Sequence, residues 1–357
     1  MLRTILVSVL AAALLSACAQ ADTTPPPNLG EFERIEAGFA SITSQELNQA
    51  ISYLASPELE GRRSGTEGNT RAGEFIAKEF FETGVRTLGS DYFQNFSFTN
   101  VERPDIPIAT LETWRERGWK INFFGRNVIG ILEGTDKKDE YVFLTAHYDH
   151  LGIQGNTTYP GADDNASGTA AVLEIAGAFG TLLEQGIRPQ RSIVFALFDA
   201  EEWGLWGSEY FVEHSPVPLE NIVAVINFDM VGRNKTGNVD VIGSAEIDDF
   251  ATRNPGLSDA LGRANAVLGF NLNLPTEEGR REQIFFRSDH ASFFFARDES
   301  NRIPVLFLTS GLHDDYHKPS DTRDKINSKK ARDITRLAFL AAWYIADHNN
   351  IPVFYDK

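Results

Sequence analysis

One cysteine, Cys18, occurs in 357 residues, so no intramolecular disulfide is possible. Positive charge is also scarce. The chain carries 33 Lys and Arg against 50 Asp and Glu, a formal net charge of −17. Nucleic-acid partners call for a basic footprint, so that class is set aside. An acidic surface of this size suits a secreted or cell-surface soluble protein. The apolar stretch near the N-terminus is too short to span a bilayer as a helix. The glycine-rich run from Leu59 to Gly68 lacks the Gly-Lys-Ser/Thr ending of a phosphate-binding loop, and it reads as a structural connection. There is no internal repeat and no break in composition, so residues 30–357 read as one domain. With 42% hydrophobic and 23% charged residues, a chain of this length buries a full core without covalent staples.

What is present begins with Met1-Leu-Arg3, an apolar stretch and a small-residue zone ending at Ala17, the anatomy of a signal peptide over residues 1–17. Leu15-Ser16-Ala17-Cys18 resembles a bacterial lipobox, in which the cysteine becomes the acylated N-terminus. Residues 18–29, with Pro25-Pro26-Pro27, then read as a lipid-anchored linker. The expectation is an exported lipoprotein of the bacterial envelope, facing the periplasm or the outside. It would touch membrane only through the lipid, and its oligomeric state stays open.

Leu47, Ile51 and Leu54 mark a helix starting near Ser44, and Ala72, Phe75, Ile76 and Phe80 mark another over 69–83. Asn95–Phe98 and Val128–Leu132 read as strands. Beyond residue 140 apolar strands alternate with helices: strand 140–146, helix 166–180, strand 192–198, helix 204–214, strand 221–228, strand 303–308 and helix 329–347. That rhythm predicts an α/β three-layer sandwich, with a central, mostly parallel mixed sheet covered by helices on both faces. Residues 244–302 are expected to form loops and short helices over a cleft.

In such sheets, ligands gather beyond the carboxyl ends of the strands. Strand 140–146 ends at His147 and Asp149, which share one side because side chains alternate. A metal-bound imidazole commonly donates its other N–H to a carboxylate, the part Asp149 suits. Other strand ends lead into Asp163-Asp164, Glu201-Glu202, Asp229, and Tyr316-His317. Singly, Glu202, Asp229 or His317 reads as a turn or surface residue. Jointly these residues converge on one rim and read as a metal site. Asp163, His150, His214, His290, His313, Asp314, Asp315 and His348 are expected to be ordinary structural or surface residues. Nitrogen and oxygen donors without thiolate suit Zn2+, with Mn2+ or Co2+ as substitutes. Asp164, Glu202 and Asp229 with one hydroxide carry four negative charges, which two divalent ions would balance.

His147-Tyr-Asp-His150, Gly161-Ala-Asp-Asp-Asn-Ala-Ser-Gly168, Asp199-Ala-Glu-Glu202, Asn227-Phe-Asp-Met230 and Tyr316-His-Lys-Pro-Ser-Asp321 stand in this order. Together they resemble the co-catalytic zinc aminopeptidases of peptidase family M28, over roughly residues 45–345. The resemblance implies the zinc-aminopeptidase (phosphorylase/hydrolase-like) fold and the release of N-terminal amino acids from peptides. It also implies two zinc ions per chain bridged by Asp164, one with His147 and Asp229, the other with Glu202 and His317. Asp149 would be the partner of His147, and the peptide Asp164–Asn165 would be cis. Glu201 resembles the general base and Tyr316 the oxyanion donor. Arg287, in Arg287-Ser-Asp-His290, matches a segment beside the substrate. Three other readings stay open. A single-zinc glutaminyl cyclase shares the fold but lacks the histidine that stands here as His147. A carboxypeptidase would want a basic cluster for the free carboxylate, and none is evident. An inactive periplasmic binding module would usually have lost a ligand or the base.

Overall fold

The computed structural model describes residues 29–99, 122–243, 255–273, 284–298 and 301–348. Cys18, the leader expected over 1–17 and all but the last residue of the linker lie outside the described residues.

The core strands are apolar on both faces, and both faces are covered. In β4 (Lys137–His147) every residue from Val142 to His147 is buried, and β7 (Arg191–Phe198) and β8 (Ile222–Phe228) are buried throughout. Successive side chains leave a strand on opposite sides. Val142, Leu144, Ala146, Ile193, Phe195, Leu197, Ala224 and Ile226 therefore enter one core. Phe143, Val194, Ala196, Phe198 and Val225 enter a second one on the other face. The first core is closed by α1 (Leu29–Ser41), α2 (Ser44–Leu54), α3 (Glu67–Glu82), α4 (Gly168–Glu184) and α8 (Ser328–Asp347). Phe211 of α5 (Trp206–Glu213) and Phe293 and Phe294 of α7 (His290–Phe295) close the second.

Local signals explain the helix starts. The Thr43 hydroxyl accepts the N–H of Glu46 and donates to the Glu46 carboxylate, a reciprocal cap for α2. The Asn327 side chain accepts the N–H of Lys330 and starts α8.

Strand order is β1 (Arg86–Thr87), β3 (Asn122–Leu132), β7, β4, β8, β11 (Val305–Thr309), β9 (Asn238–Gly243), β10 (Asn271–Asn273), with β2 (Phe93–Thr99) also on β3, while β5 (Gly152–Gln154) and β6 (Thr157–Tyr159) form a separate antiparallel pair. The central run β7-β4-β8-β11 is parallel. The β3–β7 and β11–β9 pairings on either side of it are antiparallel. The sheet is thus mixed, and parallel through its centre. In register, His147 lies opposite Phe198, and Leu308 lies opposite Phe228. The residues that follow each of these strands therefore emerge along one edge of the sheet.

Region 244–302 holds more than the loops and short helices expected of it. The 14-residue α6 (Pro255–Leu268) drives Leu257, Ala260, Leu261 and Ala264 into the first core, and β10 extends the sheet beyond β9. The spacing of those four residues is that of a buried helical stripe. This helix covers a sheet face, not a cleft.

Candidate metal centre

His147 closes β4 with Nε2 turned toward three carboxylates. It stands 3.5 Å from Asp164 Oδ1, 3.5 Å from Asp229 Oδ1 and 3.8 Å from Glu201 Oε2. His317 Nε2 stands 3.1 Å from Asp164 Oδ2 and 3.0 Å from Glu202 Oε2. Each oxygen of Asp164 therefore faces a different imidazole, so one carboxylate serves two adjoining donor groups. All five residues expected as metal ligands come together at this edge.

The chain pins each of them locally. Asp164 lies in the turn between Gly161 and α4, its peptide to Asn165 is cis, and Asp321 accepts the N–H groups of Asp163 (3.0 Å) and Asp164 (3.1 Å). The Asn165 side chain accepts from the N–H of Met230 and donates to the carbonyl of Phe228, tying that turn to the end of β8, where Asp229 follows. Glu201 and Glu202 follow β7 through Ala200, whose φ of 61° reverses the chain. Asp149 accepts the N–H of Glu201 at 3.0 Å and that of Glu202 at 3.4 Å. Its carboxylate is 3.6 Å from His147 Nδ1. Asp149 thus stands where the sequence placed it, beside His147, and it also holds the turn that aims both glutamates.

The buried charges suit a cation. His147 Nε2, Asp164 Oδ2 and Asp229 Oδ1 are buried without a hydrogen-bond partner among the described residues. Such orphans each cost roughly 1–3 kcal/mol, and a divalent ion between them removes that cost. Burial pushes the Glu201 carboxyl well above its ordinary range, with His147 pulling the other way. Burial also raises Asp229. Burial would raise Glu202 too, yet His150 and His317 hold it well below the usual carboxylate range. Burial depresses His147, but Glu201 and Asp229 carry it well above 6.5. Burial likewise opposes the charge on His317, and Asp164 and Glu202 push it up to about 10. The carboxylates that raise both imidazoles favour positive charge between them, which is what a divalent cation would bring.

Tyr316 and Arg287 lie at the rim. The Tyr316 ring stacks on His317, with centroids 3.8 Å apart, and its hydroxyl accepts from Arg287 Nη2 at 2.9 Å. Burial and the neighbouring carboxylates keep the phenol protonated. With Arg287 occupying an acceptor lone pair, the phenol keeps its O–H as a donor.

Several residues read as ordinary have more specific places. His150 Nδ1 is 2.7 Å from Glu202 Oε1 and 3.7 Å from Asp164 Oδ2, so His150 joins a donor group with them. Its position three residues after His147 at a strand end was the available signal. Asp163 accepts the N–H of Gly232, and its other oxygen lies 3.2 Å from His313 Nε2. Asp315 takes donors from Arg233, Ser320 and Lys325. Asp314 offers its carbonyl to Lys318, and His214 stacks on Tyr210. His348 follows α8 and contacts the Tyr344 carbonyl. His290 is packed between Phe307 and Phe285. Arg62, in the glycine-rich stretch, is fully buried and clamps the loops around the site. That bears out a structural part for the stretch.

Fold and site together define an α/β protein whose central strands present two adjoining imidazole–carboxylate groups at one sheet edge, each able to hold a metal ion. The model of Peptidase family M28 matches residues 127–342, and the chain belongs to that family. An aminopeptidase of Pseudomonas aeruginosa is 38% identical over 267 residues, 74% of this chain and 45% of that protein. The matches to curated relatives span 13% to 45% of the relatives' lengths. Among solved structures, an aminopeptidase from Aneurinibacillus sp. strain AM-1 aligns with TM-score 0.67 at 17% identity, covering 90% of this chain and 98% of its own. A glutaminyl cyclase of Fimbriiglobus ruber aligns with TM-score 0.60 at 18% identity, covering 85% and 95%. These two likenesses establish the fold.

Proposed function

We propose that this chain is a zinc metallo-aminopeptidase that releases N-terminal amino acids from peptides with two zinc ions and a glutamate base. The observation that carries the reading is Asp164, whose two oxygens face His147 Nε2 at 3.5 Å and His317 Nε2 at 3.1 Å. Asp164, His147 and Asp229 would hold one ion; Asp164, Glu202 and His317 would hold the other. Zinc at such sites supplies Lewis acidity, polarising a carbonyl and lowering the pKa of a water toward about 7.

The chain's own residues supply the rest. Glu201 faces the same space as His147 at 3.8 Å, and its raised affinity for a proton suits a group that takes one from water and returns it to the leaving amine. Tyr316 donates to the oxyanion that develops at the scissile carbonyl. Arg287 donates to that phenol, which supports a part for it in orienting the phenol beside the substrate. Asp149 keeps Glu201 aimed through its backbone N–H. The intact His147 and Glu201 favour this reading over a single-zinc cyclase, with which the chain shares its fold.

The test is metal analysis of the purified domain beside hydrolysis of an aminoacyl-nitroanilide panel, with and without chelator. Two zinc ions per chain and chelator-sensitive release are expected. One zinc without release, followed by cyclisation of an N-terminal glutamine peptide, would replace the reading. Release that survives metal removal would overturn the mechanism.

A further inference from the structure

The turn after β8 carries Asp229 and then Arg233, whose side chain is only 15% exposed. Arg233 Nη2 donates to Asp315 Oδ2 at 2.7 Å, and Nη1 lies 3.7 Å from Asp321 Oδ1. Asp315 immediately precedes Tyr316 and His317. Asp321 is the carboxylate that accepts the N–H groups of Asp163 and Asp164. One guanidinium on the Asp229 loop therefore meets two carboxylates of the loop that carries Tyr316 and His317, and one of the two, Asp321, holds the Asp164 turn in its own right. A planar fork matches two carboxylates at once, which an ammonium does not.

The loop from Ser310 to Asp321 contains neither helix nor strand, and His317 sits in it at φ 55°. A non-glycine residue holds that conformation only where its surroundings impose it. Asn234 pins the start of the loop, donating to the carbonyls of Ser310, Gly311 and Leu312, and His313 reaches Asp163. Beyond His313 the partners of Asp315 other than Arg233 are Ser320 and Lys325, close in sequence. They shape the loop but do not fix its place against β8.

We propose that Arg233 is a positioning residue that clasps the Tyr316–His317 loop onto the Asp229 loop and so sets the His317 half of the metal centre. The coupling to metal rests on the two-ion reading above; the clasp itself does not.

The test compares wild type, Arg233→Gln and Arg233→Lys, each first freed of metal. In the metal-free protein, Arg233→Gln is expected to speed amide hydrogen exchange at residues 314–321 by roughly tenfold or more, leaving β4, β7 and β8 protected. On titration with Zn2+, one binding constant should weaken roughly 10- to 100-fold, the other less than about threefold, with Arg233→Lys between wild type and Gln. In a His317→Ala background, Arg233→Gln should produce no further loss of zinc affinity. Three results would each overturn the proposal: unchanged exchange at 314–321, equal weakening of both sites, or an undiminished effect of Arg233→Gln without His317. A wild-type protein that binds no ion would sink the two-ion reading, while exchange in the same samples would still decide the clasp.

Discussion

Arg62 offers the most quantitative test of how the site is built. Its side chain has no exposure. Nε donates to the Tyr148 carbonyl at 2.8 Å, Nη1 to those of Leu54 and Pro160, and Nη2 to that of Gly161 at 2.9 Å. Burial pulls its pKa down to about 10, with Asp164, Asp149, Asp321 and Glu202 acting against that fall, so it stays charged at neutral pH. Arg62→Met keeps most of the volume and leaves the carbonyls of Leu54, Tyr148 and Pro160 to find other partners, that of Gly161 keeping the N–H of Ala166. At roughly 1–3 kcal/mol for each unsatisfied buried group, the upper sum is about 9 kcal/mol. Water entering the gap brings the expected loss to about 4 kcal/mol, a large part of the 5–15 kcal/mol typical of a domain. Arg62→Lys keeps the charge but not the fork, and should lose about half as much. Urea unfolding at pH 7, with chelator present throughout, reads the difference directly. A loss below about 1.5 kcal/mol for Arg62→Met would refute the reasoning, because the three carbonyls would then have been satisfied without the guanidinium.

Glu201→Gln should retain both ions and the fold while losing on the order of 10² to 10⁴ in turnover; near-normal kcat would remove the base assignment. Asp149→Asn should lower kcat more than it raises KM, because Asp149 holds the N–H groups of Glu201 and Glu202; steady-state kinetics showing a pure KM effect would contradict this. The pairing of His317 with Asp164 and Glu202 raises the imidazole from 6.5 to about 10, so its stabilisation of the ion-free chain is complete below about pH 6.5 and is lost as pH climbs toward 10. Zinc must displace that proton, so affinity by chelator competition should climb close to tenfold per pH unit between about 7 and 9, and a flat profile would count against it. For the N-terminus, Cys18→Ala should abolish incorporation of labelled palmitate; normal processing of that variant would end the lipid proposal.

Much of the architecture could be read from local pattern. Val142–Ala146, Ile193–Phe198 and Ile222–Phe228 are apolar except at Thr145 and Asn227, which bond each other, because both faces of their strands are covered, and such runs announce a buried sheet before any contact is known. The residues closing those strands were legible for the same reason. His147, Glu201, Glu202 and Asp229 each stand just beyond a readable strand, and parallel strands send their ends to one edge. Helix α6 escaped because its four core residues lie in a region where polar surroundings masked the stripe.

The rest depended on partners far apart in the chain. His150 meets Glu202 across 52 positions, Arg62 meets Gly161 across 99, and Asp321 meets Asp164 across 157. Apart from the place of His150 at a strand end, nothing local distinguishes such residues from surface histidines, arginines and aspartates. Their roles follow from which carbonyls, N–H groups and charges the packed sheet and its helices bring to their side chains once water is excluded. A buried polar group must be matched there or bear its full desolvation cost, so that matching is settled in three dimensions, where the loops finally meet.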